Sequence, residues 1–417
     1  MTSEVCLMNS ISVVLAADSA TTVEYYGQNG AEKRYFKGAN KIFQLSEAHS
    51  VGLMIYNSAS LLNVPWEVTI KEFRKELADK SFNTVEGFAD EFIEWVNASQ
   101  RLFPDEIRRS GFVQQVGTAV IPMVFGFNKQ RQEDDTLDFS TFVDTYIATE
   151  GAVVENSELS DDEIGELTAS TKNEVINEFD KWLGFAQITD VDEDTRDKAI
   201  EEATKQALNM LARENNYSGL IFAGFGDHSV FPELVSYSHC KLWGTKFVAS
   251  GKKVEKVTHD IPAVLSAFAQ SSMTDTFEIG LSFDVFAKMQ ETFAGELKTI
   301  SDSLNELSGG TIPEGKINEL IGERLTSSKD KIFDYARTEH SLPLRRVLGV
   351  LPVDEMAELA ETLINLQSLK EKVTKPSETV GGPVDVAAIT RSEGLVWIKR
   401  KHFFDPSLNS RFFERRR

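Results

Sequence analysis

The sequence predicts an α+β fold: short strands grouped at the start, middle and end of the chain, with long helical segments between the groups. Three stretches carry that prediction. Residues 4–17 alternate loosely between apolar and polar and close on Val13-Val14-Leu15-Ala16-Ala17, which suits a strand, a turn and a fully buried second strand. Residues 219–237 run from an apolar strand through Gly224-Phe225-Gly226 into Phe231-Pro232-Glu233-Leu234-Val235-Ser236-Tyr237. Val384 to Ile389 and Leu395-Val396-Trp397-Ile398 flank the turn Ser392-Glu393-Gly394.

In chain order, Asp18 ends the second strand. A charged residue is seldom buried without a partner, so an aspartate straight after an apolar strand calls for one. Lys41 is the natural candidate, because it opens the apolar run Ile42-Phe43-Gln44-Leu45. A further strand from Val51 to Tyr56 ends in Asn57-Ser58-Ala59-Ser60 and leads into an amphipathic helix from Trp66 to Leu77. Asn83-Thr84-Val85-Glu86 offers a cap for a second helix with Phe88, Phe92, Trp95 and Val96 at helical spacing. These two helices are expected to cover one side of a sheet. Residues 103–130 suggest a helix and then a short strand, the latter around Ile121-Pro122-Met123-Val124-Phe125. Residues 130–214 turn acidic and helical, 217–258 hold the central strands, and a long helix follows with Phe277, Ile279, Leu281, Phe283, Phe286 and Met289. Residues 281–348 form a second helical segment, a helix restarts after Pro352, and 404–417 make a basic tail.

Thr2 carries the chemical proposition. Its side chain is small enough for Met1 to be trimmed, leaving a free α-amino group with a pKa near 8. Such an amine is partly neutral at working pH and acts as a base for its own hydroxyl, the N-terminal-threonine form of an activated nucleophile. Thr2, Asp18 sixteen residues later, and Ala39-Asn40-Lys41 at a strand start together resemble the β-type subunits of the proteasome and the bacterial two-component protease subunit. In those families a nucleophilic threonine, an acid and a lysine stand in this order. Val353-Asp354-Glu355-Met356-Ala357-Glu358-Leu359-Ala360 resembles the family's last long helix, and Gly381-Gly382-Pro383-Val384-Asp385 the glycine turn and strand after it.

The resemblance implies a four-layer αββα sandwich, an N-terminal nucleophile (Ntn) hydrolase domain whose core covers about 1–95, 217–280 and 350–403. The stretches 130–214 and 281–348 are then helical insertions. It implies Thr2 as nucleophile, Lys41 paired with Asp18 to lower the hydroxyl's proton affinity, and an amide N–H of Asn57 or Ser58 for the oxyanion. It also implies a serine assisting the amine, Ser271 or Ser272, and helpers near Ser377 and Glu378. The pattern departs at Asn57, where the family has glycine, around Ser271 and Ser272, where flanking glycines are missing, and at Ser377-Glu378-Thr379, where the order is altered. The implied reaction is hydrolysis of peptide or amide bonds, with a small amide as an alternative substrate. Implied partners are a peptide or protein substrate, further copies in a homo-oligomer such as a ring, and an ATPase or unfoldase. A catalytically dead scaffold that keeps the fold is the rival reading.

Composition narrows the classes. With 41% hydrophobic residues and 28 phenylalanines, 417 residues suffice for a large core, and a net charge of −21 argues against nucleic acid or an anionic membrane as main partner. Two cysteines, Cys6 and Cys240, supply no disulfide framework, and six histidines show no ligand spacing, so neither metal nor cofactor is expected. No apolar run reaches eighteen residues and no signal-like start occurs, so a soluble, cytoplasmic protein is expected. Asp190-Val191-Asp192-Glu193-Asp194 imitates a calcium loop but has Thr195 where the sharp turn needs glycine. Gly310 to Lys316 has phosphate-loop spacing but Ile317 in place of the magnesium-binding hydroxyl. The basic tail with its phenylalanine pairs is expected to reach an acidic face of a neighbouring subunit.

Overall fold

A computed structural model describes residues 2–27, 30–152, 160–210, 217–243, 246–307, 313–374 and 380–414. Two antiparallel sheets organise it. The first holds β1 (Ser3–Asn9), β2 (Ser12–Ala17), β13 (Ala263–Ala269), β14 (Asp385–Thr390) and β15 (Gly394–Lys399), in the order β13-β1-β2-β14-β15. The second holds β5 (Ile42–Gln44), β6 (Val51–Asn57), β9 (Ser218–Gly224), β10 (Glu233–Trp243) and β11 (Lys246–Ser250), in the order β11-β10-β9-β6-β5, with β12 (Lys253–Lys256) also paired to β10. Two small hairpins, β3 (Ala20–Gly27) with β4 (Gly30–Lys37) and β7 (Ser60–Leu61) with β8 (Val64–Pro65), stand apart. The first and last segments of the chain therefore meet in one sheet, with Ala17 opposite Asp385 and Ser12 opposite Thr390.

Strand alternation sorts the side chains into cores. Cys6, Met8, Val13, Leu15 and Ala17 point between the sheets and meet Ile42, Met54, Ile221, Ala223 and Leu234. Val5, Leu7, Val14 and Ala16 point the other way, onto α11 (Val353–Thr374), through Met356, Ala360, Leu363 and Ile364. Both faces of β1 and β2 are covered, which is why β2 reads as a near-continuous apolar run and the polar residues of β1 (Ser3, Glu4 and Asn9) are buried too. The outer face of the second sheet is covered by α1 (Trp66–Leu77) and α2 (Val85–Ala98). Phe92 stands edge-on to Phe73 at 5.0 Å and to Phe222 at 5.6 Å between centroids. Burial of each such ring stabilises the fold by about 1.5–3 kcal/mol. Thr84 caps α2, accepting the Gly87 N–H.

Residues 105–131 form one continuous helix, α3 (Asp105–Arg131), where a helix and a strand were expected. Pro122 does not break it, because packing decides: Phe112, Val116, Val120, Met123 and Phe127 share one apolar cluster with α5 (Asp161–Phe185) and α6 (Glu193–Met210). A side chain at Gly117 would meet Glu178 Cγ at 2.9 Å, so this glycine permits the close crossing of α3 and α5. Between them lies α4 (Phe139–Glu150), capped by Asp138. By length and composition α3 could cross a membrane, but half of its apolar window is buried inside the protein. Asp192 caps α6 through the Thr195 N–H at 2.9 Å, so the acidic run before it serves a helix start.

The long helix expected from Phe277 is two. Gly280, at φ +76°, ends α7 (Ser272–Ile279), and α8 (Phe283–Leu307) starts afresh. α9 (Glu314–Ala336), a π-helical turn (Arg337–Ser341) and α10 (Leu342–Leu348) return the chain, and Ser341 and Arg345 both bond Glu278 of α7. Pro313 precedes α9, whereas Gly310, Thr311 and Ile312 of the phosphate-loop spacing lie outside the described residues. After β15 come a 3-10 turn and α12 (Ser410–Glu414), and Phe412 of α12 meets Phe404 edge-on at 4.9 Å between ring centroids.

Candidate active site

Pairing of β1 with β2 sets Glu4 opposite Ala17, and this register brings Ser3 beside Asp18. The Asp18 N–H donates to Ser3 O at 3.2 Å, and the Ser3 N–H donates to Asp18 Oδ1 at 3.1 Å. Asp18 Oδ2 also accepts the N–H groups of Ala20 (3.2 Å) and Gly381 (2.8 Å). Gly381, at φ +150°, and Gly382, at φ +81°, occupy conformations that favour glycine, and the Ser19 N–H donates back to Gly381 O at 3.2 Å. The turn before β14 thus clamps the carboxylate from the far end of the chain.

Lys41 precedes β5 and is 5% exposed. Its ammonium bonds Asp18 Oδ1 and lies 3.3 Å from Glu4 Oε1. Its backbone carbonyl accepts the Ile55 N–H at 2.9 Å, which ties this residue to β6. Thr2 is buried, and its carbonyl accepts the Gln270 N–H at 2.9 Å. The Thr2 hydroxyl donates to Glu4 Oε2 at 3.1 Å. The structure therefore brings Thr2, Asp18 and Lys41 into one buried cluster and adds a fourth member, Glu4, between hydroxyl and ammonium.

Two buried carboxylates share one ammonium. Asp18 receives three backbone N–H donors and Glu4 one hydroxyl, so Glu4 is the poorer-solvated anion. Burial pushes the Glu4 carboxyl up to about 7, with Lys41 opposing and Asp18 adding to the rise. Burial likewise raises the neighbouring Tyr56 phenol.

A narrow cleft opens over the cluster, lined by Thr2, Thr21, Ala39, Asn40, Lys41, Ile55, Tyr56, Asn57 and Ala59. Asn57 ends β6 at φ +62°, a left-handed conformation that asparagine tolerates better than most residues, so it stands where glycine was expected without needing a different backbone. Along β6 the Ile55 N–H turns toward Lys41, and alternation directs the Asn57 N–H to that same side, past the end of β5. The Ser58 N–H is instead given to Tyr217 O at 3.1 Å. Of the two amides offered for an oxyanion, Ser58's is thus engaged, while Asn57 lines the cleft. The corner is held from behind, because Trp66 Nε1 donates to Ser218 Oγ at 2.7 Å and Ser218 Oγ donates to Ser58 O at 3.0 Å.

Ser271 donates to Asp275 at 2.8 Å, while Ser272 donates to Gln367 (3.2 Å) and accepts from Lys370 (2.8 Å). Their hydroxyls thus bond α7 and α11, and the contact with Thr2 comes from Gln270. Ser377 and Glu378 lie outside the described residues. Among the described residues no group of three His, Cys, Asp or Glu side chains is arranged to hold a metal, and Cys6 and Cys240 are buried and unpaired. Sequence reasoning missed Glu4. Its signal was present: a glutamate inside an apolar strand, two residues from Thr2 and so on the same face, is a charge that must find a partner.

No family model matches the chain, and no curated protein matches it. Solved structures similar to it include the Anbu (Gly-1) mutant from Hyphomicrobium sp. strain MC1, at 9% identity over 100% of this chain and 94% of that one, with a TM-score of 0.28. The helical assembly of the Anbu complex from Pseudomonas aeruginosa matches at 10% identity over 99% and 92%, with a TM-score of 0.29. Anbu (ancestral beta-subunit) from Yersinia bercovieri matches at 10% identity over 99% and 94%, with a TM-score of 0.28.

Proposed function

We propose that this protein is a proteasome-type Ntn hydrolase with its layers in αββα order, cleaving peptide or amide bonds with Thr2 as nucleophile once Met1 is removed. The observation that carries the reading is the buried cluster at the cleft: the Thr2 hydroxyl, the Lys41 ammonium and the Asp18 carboxylate, joined within hydrogen-bonding contacts that run through Glu4. The hydroxyl attacks the scissile carbonyl and gives its proton to the carboxylate side of the cluster, from which Thr2 Oγ recovers it on deacylation, while the Lys41 ammonium, held by Asp18, supplies the positive charge that favours the transfer. The Asn57 N–H donates to the oxyanion. The Thr2 ammonium protonates the leaving amine, and the resulting neutral amine takes a proton from the water that hydrolyses the ester.

A homo-oligomer, such as a ring, served by an ATPase or unfoldase belongs to the same proposal, as does a cytoplasmic location. Intact-mass measurement and hydrolysis of a peptide library test the function together. A chain starting at Thr2 with cleavage abolished in Thr2→Ala supports it. A chain that retains Met1 and cleaves nothing favours the non-catalytic scaffold.

A further inference from the structure

Glu4 is a fully buried carboxylate on the face of β1 that otherwise presents Cys6 and Met8 to the space between the sheets. Its neighbours on every side are accounted for. Thr2 donates to one oxygen from the same strand, Lys41 faces the other from the start of β5, Asp18 lies beyond Lys41 at the end of β2, and the Glu4 charge in turn helps to raise the Tyr56 phenol on β6. Of these contacts, the one to Thr2 joins the attacking oxygen directly to a base, and the ammonium reaches that oxygen only across Glu4.

We propose that Glu4 is a catalytic residue, the immediate acceptor of the Thr2 hydroxyl proton, and that this chain divides acid and base work between its terminal ammonium and a strand carboxylate. The inference rests on Thr2 being the nucleophile. As the Thr2 Oγ–carbon bond forms, the Oγ–H bond breaks, its proton passes to Glu4 Oε2, and the carbonyl π pair moves onto oxygen. Collapse breaks the carbon–nitrogen bond, and the leaving amine takes its proton from the Thr2 ammonium. Water then attacks the ester and gives one proton to the now neutral amine. When the second intermediate collapses, Thr2 Oγ leaves and recovers its proton from Glu4. The sum is amide plus water to acid plus amine.

Lys41 has a defined part in this division. Its charge opposes the burial that would keep Glu4 protonated, and so holds the carboxylate available near neutral pH. Asp18, fixed by three amides, anchors the ammonium and takes no proton from the nucleophile.

The test is the pH dependence of Thr2 acylation by a β-lactone, followed by mass spectrometry on the full chain from pH 5.5 to 9, in wild type, Glu4→Gln and Glu4→Asp. General-base assistance is typically worth 10²–10⁴-fold. The acylation rate constant is expected to fall at least ~100-fold in Glu4→Gln. The acid limb, centred near pH 7 in wild type, is lost with it. Glu4→Asp retains the limb at an intermediate rate, which a merely space-filling role would not produce. A Glu4→Gln rate within about threefold of wild type with the limb intact overturns the role of Glu4 and leaves Thr2 as nucleophile. Absence of any wild-type labelling at Thr2 overturns both. If Glu4→Gln loses its far-ultraviolet circular dichroism, Glu4→Asp decides: loss of the limb in that variant overturns the inference.

Discussion

Replacing Lys41 with methionine removes the one cation between two buried carboxylates and leaves a side chain of similar length. Breaking a buried ion pair by deleting one partner typically costs about 3–5 kcal/mol, because the remaining charge is stranded. Here the cost depends on pH. Folded Glu4 holds its proton up to about pH 7, well above its ordinary 4.5, because of burial. Between those values the folded protein binds a proton that the unfolded chain does not, so this group's contribution to stability is full below about 4.5 and is lost as pH rises toward 7. Without Lys41, which opposes the shift, the window extends above 7, and each further unit is worth about 1.4 kcal/mol. Urea unfolding of Lys41→Met should show a deficit of about 3 kcal/mol at pH 6, widening by roughly 1–2 kcal/mol at pH 8.5. Adding Glu4→Gln to that background should remove the widening. A deficit that is equal at both pH values and indifferent to Glu4→Gln would refute the shared-ammonium account.

Three further expectations concern the frame around the cluster. Arg108 is 1% exposed and donates to the carbonyls of Phe103 (2.6 Å), Val96 (3.2 Å) and Asn97 (2.9 Å), which closes the end of α2. Arg108→Met should cost about 2–4 kcal/mol in thermal or urea unfolding, through carbonyls left without donors. Gly219 lies under the Tyr56 ring, where an added Cβ would sit 1.9 Å from a ring carbon. Gly219→Ala should displace Tyr56 from the cleft wall, lowering the unfolding temperature and also changing the near-ultraviolet tyrosine signal. Asn57→Ala should lose about 1 kcal/mol to its left-handed backbone while Asn57→Gly loses none, as differential scanning calorimetry can measure.

The sheet strands were legible because their burial leaves a local trace. β1, β2 and β6 are buried on both faces and mostly apolar, and Trp66, Ile70, Phe73 and Leu77 mark α1 at its helical period. The Asp18–Lys41 pair was legible because two charges at strand ends imply a partner for each, whereas Thr2 entered through its place at the chain start and the family resemblance, and the register of β1 against β2 then brings the three together. The path of residues 103–130 was obscured by Pro122 and by glycines whose purpose is close packing against segments distant in sequence, Leu62 for Gly111 and Glu178 for Gly117. The break at Gly280 was hidden inside an apolar pattern that continues through both α7 and α8. The β3–β4 hairpin was passed over although the stretch Gly27-Gln28-Asn29-Gly30 is rich in turn-forming residues. Glu4 went unnoticed because a single charge in a strand is easily taken for a solvent-facing one, and only the second sheet and Lys41 make that face an interior.

The most direct measurement is the site of covalent capture. Full-length protein is treated with an epoxyketone, which needs both a hydroxyl and a free α-amine on the same residue to close its ring, and is then sequenced by tandem mass spectrometry. Modification confined to Thr2 as the first residue of the chain, and absent in Lys41→Met, is the predicted result. An adduct on any other residue, or a Thr2 that stays unmodified in a chain already lacking Met1, would contradict the account.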